Sequence, residues 1–233
     1  MKTYSKSEDA YKTIGEVTKE LGLIDKNPAA PFSATEDAGG PESSRDTILS
    51  KGDISKAFAV FDQHPAKVPL STRIGYALLL MLGTRKMELF SAKWEDIKMD
   101  SQTFTLYEDD TKTKSSLVIP IPDLAMPQLR DLKLIANGSD YLFPARKKSS
   151  RGYISDDTTN HTLAALFGKS VSKKPPGPNF LGLADIEYFT VHDLRRTFRS
   201  LLAHVSVSDE IADVCMNHQK KGTTRTYNRY RYF

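Results

Sequence analysis

The residues of this chain that can do chemistry fall at three places. The first is Gly83-Thr84-Arg85-Lys86-Met87-Glu88-Leu89, the second is His192-Asp193-Leu194-Arg195-Arg196, and the third is Cys215-Met216-Asn217-His218, with a closing "TRTYNRYRYF" at residues 224–233. Arginines in the first two suit a phosphate, because the guanidinium fork matches two phosphate oxygens. Arg85 follows a strongly apolar stretch, where a buried charge needs a partner. Glu88 is one candidate partner and a bound phosphate is the other. Thr190 and Asp193 have the spacing of a capping box, which puts His192 in the first turn of a helix, where free amides and the helix dipole favour an anion. Of the tyrosines set between arginines at the end, one can be a reagent and the others ordinary contacts. A tyrosine reagent needs help: with a pKa of about 10, only about one in a thousand is ionised near neutrality, so a base or a cationic field must assist. A metal centre is not indicated. His192, His204 and His218 lie twelve and fourteen residues apart, unlike the short offsets of helical ligand pairs, and Cys215 is the only cysteine.

These side chains need elements to hold them. Leu70 to Leu82 reads as a buried helix that Gly83 ends, and Arg85 then starts the next. Ser50 and Asp53 form a capping box opening a helix through Phe61. Thr103 to Pro122 is two β-rich runs around a polar turn, a hairpin with Lys112 and Lys114 at its tip. Helices are expected over 123–136 and 155–167, and a long Lys/Pro/Gly loop from Gly168 to Gly182. Two more helices follow, Val191 to Val205 and Asp209 to Asn217. In the first, Leu194, Phe198, Leu201, Leu202 and Val205 make one apolar stripe, leaving His192, Arg196 and Arg199 facing away and Arg195 at the border. Periodicity does not choose between Arg195 and Arg196. The fold class is mixed, mainly α with a small three-stranded antiparallel β-sheet.

Upstream, Ile14, Val17, Leu21 and Ile24 keep helical spacing until "DKNPAAP" stops them, and residues 31–44 are rich in Gly, Pro and Ser. Residues 1–30 are therefore expected to be the last helix of a preceding domain, 31–44 a linker, and 45–233 the functional domain. With 233 residues, 39% of them hydrophobic, the chain can fill a core. Its longest apolar run, Ile74 to Leu82, is far below the ~18 residues of a membrane span, and the N-terminus lacks a secretory pattern, so a cytoplasmic location is expected. The net charge of +4 is modest. From His192 onward, however, eight Lys/Arg stand against four Asp/Glu, a footprint suited to phosphates.

The wording, order and spacing of "GTRKMEL", "HDLRRT" and "NH" with Tyr227 nine residues after His218 resemble the tyrosine recombinase (phage integrase) family, in particular integrases of satellite phages and genomic islands. The resemblance covers roughly residues 45–233 and implies the tyrosine recombinase catalytic-domain fold, with residues 1–30 the tail of a core-binding domain. It implies a site-specific DNA recombinase that cleaves and rejoins strands through a covalent 3′-phosphotyrosyl intermediate, integrating or excising a mobile element. An alternative is a catalytically silent DNA-binding fragment or regulatory module. Carried over by position, Arg85 and Arg195 clamp the scissile phosphate, and His192 and His218 are the two histidine positions. Lys112, with Lys114 as its competitor, protonates the departing 5′ oxygen, and Tyr227 is the nucleophile. Lys114, Arg196, Arg199, Lys220, Lys221, Arg225 and Arg229 are candidate DNA contacts. Asn217 stands where many members have glycine, and asparagine tolerates the same left-handed turn. The resemblance implies no cofactor or metal. Its implied partners are double-stranded DNA attachment sites, a homotetramer on DNA formed from protomers that are monomeric in isolation, an excisionase and a DNA-bending host factor. The implied setting is bacterial and nucleoid-associated.

Overall fold

The computed structural model describes residues 17–27, 46–107, 116–145, 150–171 and 175–217. The chain divides into two compact units, Met1–Asp46 and Thr47–Phe233. In the first, residues 17–20 are helical. The helix closes earlier than "DKNPAAP": Gly22 turns left-handed at φ 68°, with its N–H on the Lys19 carbonyl and that of Leu23 on the Thr18 carbonyl. That pair of bonds is a Schellman close, which glycine makes without a Cβ penalty.

The second unit runs α1 (Lys51–Gln63), α2 (Leu70–Leu82), α3 (Lys86–Phe90), β1 (Ile97–Lys98), β2 (Thr103–Leu106), β3 (Leu117–Pro120), α4 (Met126–Ala136), α5 (Asp156–Leu166), α6 (Phe180–Leu183), α7 (Val191–His204) and α8 (Asp209–Cys215). The expected capping box opens α1: the Asp53 amide donates to Ser50 Oγ at 3.1 Å, and the Asp53 carboxylate accepts from the Ser50 amide at 3.0 Å. Helix α2 is the central rod, burying Ile74, Tyr76, Leu78, Leu79 and Leu82 among Phe61, Phe90 and Phe143. The Tyr76 hydroxyl donates to the Thr159 carbonyl at 2.7 Å, tying α5 to α2.

The sheet has the order β1-β2-β3, antiparallel throughout, with Ile97 opposite Phe104 and Phe104 opposite Ile119. Alternation puts Phe104, Leu106 and Ile119 into the core. Pro120 lies on an edge strand, where a missing N–H costs no ladder bond. The expected hairpin is present in its two strands, while its tip, with Lys112 and Lys114, lies outside the described residues.

Two expectations are corrected. The Lys/Pro/Gly loop does not run unbroken to Gly182. Phe167 bridges to Asn179, whose side chain accepts from the Gly182 amide at 2.8 Å and opens α6. The apolar stripe of α7 is buried at its start and not at its end. Leu194 is buried, Leu201 and Leu202 are half-buried, and Val205 is exposed. In exchange the N-terminal half of α7 buries Asp193, Arg195 and Thr197, because each finds hydrogen bonds inside. The Thr197 hydroxyl donates to the Asp193 carbonyl at 2.8 Å and accepts from the Leu49 amide at 3.0 Å, which pins the entry of α1 onto α7. Among the described residues no helix is long and apolar enough to cross a membrane.

Candidate functional site

The site is assembled where the end of α2, the start of α3, the first half of α7 and the residues after α8 meet. Gly83 terminates α2 in a left-handed conformation, φ 63°, and turns its carbonyl toward α7. Two residues later Arg85 is the N-cap of α3. Glu88, buried in the first turn, folds back on it. One carboxylate oxygen accepts from the Arg85 amide at 2.7 Å and the other from the Arg85 guanidinium at 2.6 Å. The other arm of that guanidinium reaches the Asn217 carbonyl at 3.4 Å. Glu88 is thus the partner that the apolar setting of Arg85 requires, and the Arg85 side chain still keeps 24% of its surface open.

Arg195 is held differently. It is 3% exposed, and its two terminal nitrogens donate to the carbonyls of Gly83 and Met216. Among the described residues it makes no ion pair with a carboxylate. Burial together with the neighbouring Arg85 charge brings its pKa down to about 10, against a smaller upward pull from Glu88. Two guanidiniums therefore stand near one carboxylate, Glu88, which only Arg85 engages directly. This arrangement favours an added anion, because an opposite charge entering a partly desolvated site relieves the repulsion between them.

Periodicity left Arg195 and Arg196 as alternatives, and the structure separates them. Arg195 enters the buried cluster, whereas Arg196 turns to Asp193 at 2.7 Å. Asp193 is fully buried and also accepts from the amide and hydroxyl of Thr190, at 2.7 and 2.8 Å. The capping box of α7 is therefore present, and its own carboxylate sits at the amide end where an anion was expected. Arg199 pairs with Asp209 at 2.7 Å. Lys86, beside Arg85, binds the Asp156 carbonyl at 2.9 Å and its carboxylate, joining α3 to the first turn of α5.

His192 lies on the first turn of α7 with its ring in contact with solvent. Desolvation by the surrounding protein is the largest influence on it, followed by the positive charges of Arg196, Arg195 and Arg85, and these outweigh the opposing Asp193. All the larger influences disfavour imidazolium, so the ring stays neutral, and able to accept a proton, to a lower pH than an ordinary histidine. An NMR titration should place its midpoint below 6.5, and Arg196→Gln should raise that midpoint by removing the largest of the charges and freeing Asp193. A midpoint that stays put in the variant would mean that the arginine field does not act on the ring.

Helix α8 ends at Cys215 with Met216 as its cap, and Asn217 takes φ 47°, the left-handed turn expected of it. That turn presents the Met216 and Asn217 carbonyls to the two arginines. The carbonyl acceptors of Gly83, Met216 and Asn217 have no signature in the sequence, since any residue type carries one. Lys112, Lys114, His218, Lys220, Lys221, Arg225, Tyr227 and Arg229 lie outside the described residues. The described geometry thus brings together Arg85, Arg195 and His192, with the Asn217 carbonyl on Arg85. Among the described residues no three His, Cys, Asp or Glu side chains converge as a metal site would require.

The profile of the phage integrase family matches residues 48–232. The chain belongs to that family. Prophage integrase IntA of Escherichia coli strain K12 is 24% identical over 170 residues, which are 72% of this chain and 36% of the relative. This family member thus spans about a third of the length of that curated relative. The fold has solved counterparts among tyrosine recombinases. A lambda integrase dimer bound to a COC′ core site superposes with a TM-score of 0.64 at 17% identity, covering 91% of this chain and 70% of that one. The Tn1549 transposon integrase in complex with a circular intermediate DNA gives 0.62 at 15% identity, covering 94% and 72%. The mainly helical fold with a small three-stranded antiparallel sheet is therefore that of the tyrosine recombinase catalytic domain.

Proposed function

We propose that this integrase-family chain carries the catalytic domain of a site-specific DNA recombinase, cleaving and rejoining strands of a mobile element through a 3′-phosphotyrosyl intermediate. The observation that carries the reading is the pair of guanidiniums, Arg85 on Glu88 and Arg195 on two main-chain carbonyls, which leaves two positive charges at one site with a single carboxylate bonded to only one of them. In the proposed reaction Tyr227 attacks the scissile phosphorus and the bond to the 5′ oxygen breaks. His192 takes the phenolic proton, and Lys112 or Lys114 gives one to the leaving oxygen. That last step is general acid catalysis, commonly worth about 10² to 10⁴ in rate. Arg85 and Arg195 meet charge that grows on the nonbridging oxygens in the pentacoordinate transition state, so they stabilise it more than the ground state. His218 donates to the same phosphate. A DNA hydroxyl later attacks the phosphotyrosine and restores the tyrosine, which conserves the bond energy and requires no nucleotide cofactor.

In this reading residues 1–30 are the tail of a core-binding domain, 31–44 a linker and 45–233 the catalytic domain. The division after Asp46 and a family match that begins at residue 48 support it. The partners would be double-stranded attachment sites and further protomers assembled as a tetramer on them, with an excisionase and a DNA-bending host factor as accessories. Lys114, Arg196, Arg199, Lys220, Lys221, Arg225 and Arg229 would hold the DNA backbone. The test is trapping on a nicked suicide duplex drawn from the junction of the mobile element with its host. A covalent adduct that peptide mapping assigns to Tyr227 is expected. An adduct that persists in Tyr227→Phe would remove that residue as the nucleophile.

A further inference from the structure

The Gly83-Thr84-Arg85 segment is wired to both guanidiniums. The Gly83 carbonyl accepts from Arg195, and Arg85 carries the other charge and donates its own amide to Glu88. Between them Thr84 is 1% exposed, and its hydroxyl has no hydrogen-bond partner among the described residues. A hydroxyl sealed from water with nothing to bond is less stable than a methyl of the same shape, so its presence at a charged site calls for a second state in which it is used.

We propose that Thr84 is a positioning residue for phosphate: its hydroxyl acquires a partner only when an anion occupies the space between Arg85 and Arg195. The inference rests on the two-guanidinium reading above. In this structure the guanidiniums hold three carbonyls, those of Gly83, Met216 and Asn217. A phosphate draws the guanidinium N–H groups toward its own oxygens, which lengthens or breaks some of those bonds and leaves a carbonyl in need of a donor. Within the segment, the Gly83 carbonyl and the Arg85 amide are already bonded, and the Thr84 hydroxyl is the unspent donor. Its bond to a released carbonyl fixes the loop in the phosphate-gripping arrangement, and both arginines with it.

Thermal unfolding of the whole chain tests this, with inorganic phosphate compared against chloride at equal ionic strength, in wild type, Thr84→Val and Thr84→Ser. Without phosphate, Thr84→Val is expected to unfold at or above the wild-type temperature, because no bond is lost. Phosphate should stabilise wild type and Thr84→Ser alike, and bind Thr84→Val about fivefold more weakly, the factor that one hydrogen bond is worth. An equal phosphate response in Thr84→Val overturns the role of Thr84 and leaves the arginine pair standing. A lower unfolding temperature of Thr84→Val without phosphate also overturns it, since the hydroxyl would already be partnered, as would a serine variant that behaves like valine. If phosphate stabilises none of the three, the anion site itself is wrong and the inference falls with it.

Discussion

Gly83→Ala is expected to cost about 2 to 5 kcal/mol of stability and to disable the site as well. Two effects add at this residue. Its φ of 63° is left-handed, which costs a residue bearing a Cβ about 1 to 2 kcal/mol. A Cβ built there would also lie 2.2 Å from two ring carbons of Phe198, a distance that real contacts do not reach, and overpacking of this kind typically costs about 1 to 3 kcal/mol. For a domain of this size, that sum corresponds to a fall of about 4 °C or more in unfolding temperature. Where the clash is relieved by shifting α7, Arg195 moves with it, and where the peptide relaxes by rotation, the Gly83 carbonyl turns away from that arginine. Phe198→Ala in the Gly83→Ala background separates the two effects: it removes the clash and leaves the backbone strain. Partial recovery of the unfolding temperature, beyond what the two single variants predict by addition, is the expected result. Simple additivity would show that the ring contact contributes nothing.

The parts of this architecture written in local chemistry are legible in the sequence. Ser50 with Asp53 and Thr190 with Asp193 announced two helix starts, and Gly83 announced an end. Each of these works through bonds spanning only a few residues, which a linear pattern records. The hairpin strands followed from alternation for the same reason. What the pattern could not record was long-range and main-chain in origin. That Arg195 and not Arg196 enters the cluster depends on carbonyls at Gly83, 112 positions away, and at Met216, 21 positions away. The burial of Thr197 depends on the Leu49 amide, 148 positions away. The apolar stripe of α7 misled for a related reason. Hydrophobicity alone assigns the buried face, while in the first half of the helix polar side chains that find hydrogen bonds inside are buried and Val205 is left outside.

The two adjacent arginines of α7 should respond in opposite ways to the same conservative change, and this contrast tests the site most directly. Arg195→Lys replaces a planar fork serving two carbonyls with a single ammonium on a flexible stem, which can follow only one of them closely. A buried carbonyl left without its donor costs about 1 to 3 kcal/mol, and the ammonium, beside Arg85 and away from water, is pushed toward its neutral form. Strand cleavage should then fall by about 10² to 10³, the loss found when one preorganised donor to a developing oxyanion is removed. Arg196→Lys keeps a cation within reach of Asp193 at a half-buried position, and should stay within about tenfold of wild type. Single-turnover cleavage with saturating DNA keeps the comparison free of binding differences, and circular dichroism on the same samples shows whether either variant has unfolded. Equal losses in two folded variants would mean that the buried fork does not face the phosphate. The assignment would then pass from Arg195 to the shared charge of the helix.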